Sequence, residues 1–527
     1  MLGLDTGTTT AALMTIFLAI VAVICFFGLH RYWMVILFAR HANETTRPCG
    51  CLEENPPVTV QIPLYNEGAV AERIIEAACR LEYPRELLQI QVLDDSNDGS
   101  EIVGRAAVER FAAQGINIEH IQRPERVGFK AGALDHGMKS ATGEFIAIFD
   151  ADFVPHPSFL RRTLRYFADP SVGVVQTRWA HLNRNASLLT RAQAVFLDGH
   201  FVVEHTARSR GGAWINFNGT AGVWRRQAIT DAGGWEHDTL TEDVDLSYRA
   251  QLKGWRFAYL PAVTTPAELP PTITAFKNQQ FRWTKGSIQV AIKLLPRIFR
   301  ADLPFLVKHE AFFHLASPVV YLFITAFALL IYPTLVIEIN PLGNAALSGA
   351  VLGLTLFSMG TASAALFYLT SQVAQRRSFI QTVALVPVLM AVGIGISLYN
   401  ALGVIEALIG RPSPFVRTQK HGNQSHEQRI PWPSALRGLR LSDLPGFFPI
   451  MNLLELSMGL YMIACIAYII RHPENLMGLP FVLLFAAGYL YVALSGLRLN
   501  ARAILEAAAG RAQAATEPSP VEAIDTR

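Results

Sequence analysis

The chain has 527 residues, 51% of them apolar, and a formal charge of +3. That length exceeds one ordinary domain, and the apolar share exceeds what a soluble core needs, so part of the chain is expected in lipid. The small net charge, spread without a basic block, argues against nucleic acid as a partner and leaves a membrane surface as the use for the positive side chains.

Residues 11–29 carry no charge and are long enough to cross roughly 30 Å of hydrocarbon. They run into His30, Arg31, Tyr32 and Trp33, with Arg40 and Arg47 beyond, whereas only Asp5 is charged before them. This asymmetry puts the N-terminus outside and the following residues in the cytosol, and makes 1–42 an N-terminal transmembrane anchor. A cleaved signal peptide would carry its basic residues before the apolar run, so that reading fails. Five cysteines form no disulfide framework; Cys49 and Cys51 lack a second pair or a histidine partner for a metal site, and a cytosolic flank disfavours a bond between them.

From 55 to 284 the pattern becomes that of a soluble α/β domain. Short β-rich runs, VTVQIP, LQIQVL, EFIAIFD and VGVVQT, alternate with helix-like stretches at 69–81 and 101–114, which predicts a largely parallel sheet. Three strand ends carry Asn66-Glu67, Asp94-Asp95 and Asp150-Ala151-Asp152, and ligands of open α/β sheets bind beyond the carboxyl ends of strands.

Within 285–310, residues 287–300 put Ile288, Ile292, Leu295 and Phe299 on one helical face and Gln289, Lys293, Arg297 and Arg300 on the other, as for a helix lying on the inner leaflet. A soluble surface helix is the alternative. A membrane domain is expected over 311–497, with spans near 312–336, 345–370, 449–470 and 476–497. The apolar stretch 381–409 has Arg376 and Arg377 before it and Arg411, Arg417, Lys420, Arg429, Arg437 and Arg440 after it, so both flanks should be cytosolic and the stretch re-entrant or interfacial. That gives five crossings and a cytosolic tail, 498–527, whose last ~15 residues are polar and proline-containing enough to be disordered.

Asp150 and Asp152 flank one turn after the strand FIAIF and can hold a hard cation that keeps places for substrate phosphates. In Thr241-Glu242-Asp243 a carboxylate could accept the proton of an attacking hydroxyl; capping of the helix that follows is the alternative use of Thr241 or Asp243. Lys130 and Arg282 are candidate partners for a pyrophosphate. Trp283, beside Arg282, offers a flat face for a sugar ring or, alternatively, an anchor at the membrane interface.

Taken in order, Asp94-Asp95, Asp150-Ala151-Asp152, Thr241-Glu242-Asp243 and Gln279-x-x-Arg282-Trp283 resemble the motif series of membrane-integrated family 2 glycosyltransferases of the cellulose synthase superfamily. The wording around them, VQIPLYNE, IQVLDDS, FKAGAL, IFDADF, FNGTAGVWR and RAQLKGWRFAYL, resembles the cellulose synthase-like A and C proteins, over about residues 55–425. The resemblance implies an α/β GT-A catalytic domain, nucleotide-sugar-binding with a mostly parallel sheet, inserted between transmembrane helices, and an α-helical membrane domain. It further implies Mg2+ or Mn2+ and inversion at the anomeric carbon.

By the same resemblance Asp94 or Asp95 contacts the nucleoside, and Lys130, Asp150, Gln279 and Arg282 serve the donor. Asp150 and Asp152 hold the metal, and Asp243 with Glu242 acts at the acceptor hydroxyl. Trp283, Asn218, Gly219 and Thr220 receive the acceptor. PFVRTQKHG at 414–422 resembles the gating loop of processive synthases at Phe415, Thr418 and Lys420, with Arg417 where that pattern has valine. No nucleotide-sensor domain follows, so control by a fused domain is not expected.

The expected partners are a nucleotide sugar (UDP-glucose or GDP-mannose), a growing glycan or a lipid acceptor, and the bilayer, with no nucleic acid. The expected protein is a multi-pass enzyme of the inner or plasma membrane that polymerises a hexose into a β-glycan and passes it across. The alternative is a single-addition enzyme making a β-glycosylated lipid.

Overall fold

A computed structural model describes residues 6–48, 50, 54–336, 349–413 and 449–514. Helix α1 (Thr6–His41) comes first, and a seven-stranded mixed sheet follows. Its strands are β1 (Val58–Leu64), β2 (Leu88–Asp94), β3 (Ile118–Ile121), β4 (Phe145–Ile148), β5 (Val172–His181), β6 (Gly222–Arg225) and β7 (Arg256–Ala267), ordered β3-β2-β1-β4-β6-β5-β7. The first four run parallel, β6 is antiparallel to both neighbours, and β5 and β7 run parallel.

Strands β1 and β2 are buried along nearly their whole length, as helices on both faces require of parallel strands. On one face Val60, Ile62 and Phe149 pack with Ile74, Ile75 and Leu160; on the other Ile146, Ile148 and Trp224 pack with Leu134 and Leu246. The four expected strands are β1, β2, β4 and β5. The sequence pattern had not signalled β7, which holds Pro261 and Pro266. Proline removes a ladder donor and is confined to edges, and β7 is one of the two edge strands.

The helices of this domain are α2 (Gly68–Cys79), α3 (Ser100–Ala112), α4 (Phe129–Met138), α5 (Phe159–Leu164), α6 (Leu188–Asp198), α7 (His205–Arg210), α8 (Arg226–Asp231) and α9 (Glu242–Leu252). The expected helix over 287–300 is the second half of a longer one, α10 (Ile273–Arg300), whose start is capped by Thr272 accepting from the Ala275 amide. QQFRW therefore lies inside a helix. The apolar face expected there is divided: Ile288 is buried with Ala291, Leu294 and Ile298, whereas Ile292 and Phe299 are exposed. Ala291, Leu294 and Ile298 pack on α9 and on α11 (Phe305–Ala316), Ile288 packs on Val404 and Ala407, and the second row remains outward.

Beyond lie α12 (Val320–Val336), α13 (Gly349–Ala374), α14 (Phe379–Gly395), α15 (Ser397–Leu408), α16 (Ile450–Arg471) and α17 (Leu479–Ala514). Among the described residues, Ala11–His41, Phe305–Val336, Ile450–Arg471 and Asn475–Ala509 are long and apolar enough to cross a membrane. Helix α13 has 26 residues and no charge. The expected re-entrant stretch is the pair α14 and α15, bent by 45°. The gating-like residues Phe415, Thr418 and Lys420 lie outside the described residues.

The chain divides into two compact bodies. One comprises 1–327, 339–389 and 400–423. It holds the sheet and α1, whose Gly28 lies against Gly360 of α13 and whose Phe17 stacks on Phe327 at 5.5 Å. The other comprises 328–338, 390–399 and 424–527. There Tyr461 donates to the Leu329 carbonyl and accepts from the Tyr332 amide, and Ser397 and Tyr489 share a hydrogen bond.

Candidate active site

A cleft of about 210 Å3 opens at the carboxyl ends of β1, β2 and β4. Parallel strands deliver their terminal side chains to one edge, so Glu67, Asp95, Asp150 and Asp152 converge there although they are far apart in sequence. Helix α10 closes the opposite wall with Gln279, Arg282 and Trp283. One turn apart on a helix, Gln279 and Arg282 share a face.

Glu242 and Asp243 enter from the first turn of α9. Thr241 holds the N-cap position but its side chain makes no capping bond, so the capping alternative does not account for it. Gly286 of α10 explains how close the two elements come: a Cβ there would lie 2.5 Å from Thr241 Cγ2. Gly219 has φ +78°, and a Cβ on it would lie 3.1 Å from Asp243 Oδ2, so this left-handed position suits glycine on two counts.

Lys130 Nζ donates to Asp150 Oδ1 at 2.5 Å and to the Gly219 carbonyl at 2.9 Å. Thr220 is fully buried, and its hydroxyl accepts from the Asp150 amide at 2.8 Å. Through that bond it steadies the turn that carries Asp150 and Asp152. Of the alternatives Asp94 and Asp95, Asp94 is the one turned away from the cleft. Its carboxylate lies beneath the sheet edge, accepting from the Ser96 amide and bonded to His120 at 2.9 Å, and only Asp95 reaches the cleft. Asp95 is gripped by Arg123 through Nε and Nη2.

Seven carboxylates face the cleft: Glu67, Asp95, Asp150, Asp152, Glu242, Asp243 and Glu268. Arg123 pairs with Asp95, Arg73 with Glu268 and Lys130 with Asp150. Asp150 and Asp152 offer hard oxygen donors of the kind that Mg2+ or Mn2+ takes. Burial, and next the Glu242 carboxylate, push Asp243 up to about 7, with Lys130 acting against them. Burial also raises Glu242. Burial lowers Arg282, opposed by the Glu242 and Asp150 carboxylates.

Sequence reasoning missed several wall residues. Arg126 stacks on the Tyr65 ring with 3.4 Å to its centroid, a flat cationic sandwich suited to a base; Tyr65 stands one residue before the Asn66-Glu67 end that the sequence did flag. Trp179, with its ring centroid 6.4 Å from that of Trp283, follows the run VGVVQT along β5. Glu268 follows β7, the strand the pattern had not signalled.

A second cavity, of about 370 Å3, is lined by residues of α1, α10, α11, α12 and α13 and of the run 196–208. It shares Trp179, Asn218, Asp243 and Trp283 with the cleft. Trp283 thus lines both cavities and packs, partly buried, beside Trp179, Phe201 and Tyr259.

The family model for "Glycosyltransferase like family 2" matches residues 56–286. Over 251 residues the chain is 47% identical to glucomannan 4-β-mannosyltransferase 1 of Oryza sativa subsp. japonica, covering 46% of this chain and 48% of that protein, so this match spans about half the length of the rice relative. It is 34% identical over 448 residues to glucomannan 4-β-mannosyltransferase 7 of Arabidopsis thaliana, covering 82% of this chain and 75% of that protein. Among solved structures, a mannosyltransferase from Pyrobaculum calidifontis in complex with GDP-Man and Mn2+ superposes with a TM-score of 0.52 at 22% identity, over 75% of this chain and 99% of that one. That likeness identifies the GT-A-like fold.

Proposed function

Because the chain belongs to the family 2 glycosyltransferases, together with the cellulose synthase-like A glucomannan 4-β-mannosyltransferases, we propose that it is an inverting, processive membrane hexosyltransferase. It takes GDP-mannose as donor and extends a β-1,4-linked mannan or glucomannan across the membrane. The names of its relatives support the mannosyl donor. The observation that supports processivity is that Trp283, Asp243 and Asn218 line both cavities.

In this reading Tyr65 and Arg126 hold the base, and Lys130 and Arg282 hold the diphosphate. Asp150 and Asp152 would hold the divalent cation, which when bound offsets the charge of the leaving diphosphate. Trp283 stacks on the terminal acceptor sugar and sets its hydroxyl toward the donor. The Asp243 carboxylate takes the hydroxyl proton as the acceptor oxygen forms its bond to the anomeric carbon. The bond from that carbon to the diphosphate breaks on the opposite side, the nucleoside diphosphate departs with the bonding pair, and an α-linked donor becomes a β-linked sugar.

The test uses the full chain in lipid nanodiscs, offered GDP-mannose or UDP-glucose. The expected product is a long glycan made from GDP-mannose, degraded by β-1,4-mannanase and absent when EDTA is in excess. A lipid bearing a single sugar would overturn the polymerase, a glucan made from UDP-glucose alone would overturn the donor, and full activity in EDTA would overturn the metal.

A further inference from the structure

Between α6 and α7 the helical run does not stay α-helical: Gly199–Glu204 forms a π-helical turn. Such a turn takes in one extra residue, and it recurs at functional sites. Its effect here is specific. Residues five apart, which diverge on an α-helix, come onto one side, and the rings of His200 and His205 lie with centroids 4.4 Å apart.

Both rings meet one side chain. Asn218 Nδ2 donates to His200 Nε2 at 3.0 Å, and His205 Nε2 donates to Asn218 Oδ1 at 2.5 Å. His200 Nδ1 in turn donates to Glu204 Oε2 at 2.8 Å, and Arg208 lies 3.8 Å from the same carboxylate. Burial acts to raise Glu204, but Arg208 and the His200 bond together hold it below the usual carboxylate range. The backbone of Asn218 is fixed as well, its amide donating to the buried Gln176 Oε1 at 3.0 Å.

An amide carries two donor hydrogens on its nitrogen. With one given to His200 and the carbonyl oxygen taken by His205, the second N–H has a determined direction. Asn218 lies where the two cavities meet, beside Asp243 and Trp283.

We propose that His200 and His205, brought together by the π-turn, are positioning residues that lock the Asn218 amide so that its remaining N–H is presented to the acceptor terminus. The inference rests on the acceptor chemistry proposed above and goes beyond it. It gives the π-turn a task, and it requires both imidazoles to be neutral and of opposite tautomer: Nδ1–H at His200, Nε2–H at His205. Reversal of the amide would break both bonds at once.

The test uses the full chain in nanodiscs with GDP-mannose and a soluble β-1,4-manno-oligosaccharide. His200→Ala should raise the acceptor KM about tenfold, the usual scale for one hydrogen bond lost at a site, while the donor KM and the rate of donor hydrolysis stay near the parent's. His200→Gln, whose amide oxygen can take the same N–H, should recover most of that loss. In an Asn218→Ala background, His200→Ala should add nothing, because coupled residues are not additive. A second readout is independent of turnover: 15N-histidine NMR, assigned with His200→Gln, should show the two opposite tautomers. Additive effects of the two alanine variants, a donor KM that rises with the acceptor KM, or an imidazolium at His200 would each overturn the inference. A parent that transfers to no saccharide would overturn the proposed function, and the tautomers would still decide the clamp.

Discussion

The two cavities on either side of Trp283 are built from different chemistry. The cleft at the carboxyl ends of the strands is a meeting of charges, with Glu67, Asp150, Asp152, Glu242 and Asp243 facing Arg126, Lys130 and Arg282. The cavity beyond it is walled in large part by rings, among them Phe27, Phe196, Phe201, Tyr321, Phe367 and Tyr368. In the proposed reading a diphosphate is held by fixed charges and released once per cycle, which suits an ionic site. A neutral polymer would be held and yet slide, and ring faces that grip sugars without directional bonds allow that. Asp243 and Trp283 line both cavities, so in that reading the proton acceptor and the stacking ring stand where the two requirements meet.

The contrast predicts that variants on the ionic side abolish chemistry whereas variants on the aromatic side loosen the acceptor. The largest effect is expected from Asp243→Asn. The amide cannot accept a proton, and loss of a general base costs about 10²–10⁴-fold in rate. Donor binding, measured by calorimetry with GDP-mannose, should stay near the parent's. Turnover within a few-fold of the parent would remove Asp243 from the mechanism and blur the distinction between the two walls.

Trp283→Ala should act on the other wall. Removing a stacking ring costs about 1–3 kcal/mol, which corresponds to roughly 5- to 150-fold in acceptor KM. Product chains, sized by gel filtration, should shorten as the growing end escapes between additions, while slow hydrolysis of the donor persists. Chains of parental length would mean that Trp179, 6.4 Å away, carries the acceptor instead.

How much of this was legible in sequence follows the same division. On the ionic wall strand ends announce themselves: an apolar run followed by carboxylates pointed to Asp94-Asp95, Asp150 and Asp152, whereas Arg126 and Glu268 carried no such signal. What the sequence does not carry there is direction. Adjacent residues on a strand point to opposite sides, and nothing in Asp94-Asp95 says which one faces the cleft; His120, on a strand the pattern had not signalled, is what holds Asp94 beneath. Nor does the sequence say that the Thr220 hydroxyl accepts from the Asp150 amide.

The aromatic wall was legible only at Trp283. Its other members come from α1, α11, α12 and α13, where an apolar stretch gives length and little else, since rings facing a cavity and rings facing lipid read alike. The π-turn at Gly199–Glu204 carried no signal at all, because the pattern of LDGHFVVEHTARSR is that of an ordinary helix. The split of the apolar face of α10, with Ile288 inward and Ile292 outward, is likewise decided by what the helix packs against.

The smallest effect, and the one that best separates electrostatics from contact, is expected from Glu242→Gln. Asp243 stands near 7, first because it is buried and next because the Glu242 carboxylate is its neighbour. A base must be ionised to work, so kcat/KM of the unliganded enzyme should fall as pH drops through about 7. Glutamine keeps the shape of residue 242 and removes its charge, so Asp243 then loses one of the two influences that raise it. Its titration should move down toward the ordinary carboxylate range near ~4 without reaching it, because burial remains. The sign follows: the variant's acid limb lies at lower pH than the parent's, and a larger fraction of its own plateau survives at pH 6. The plateau itself can differ for reasons of donor contact, so the position of the limb is the measurement. A limb that stays in place would mean that burial alone sets Asp243, and a limb that moves upward would mean that Glu242 had been acting through Lys130, whose cation lowers Asp243, and not directly.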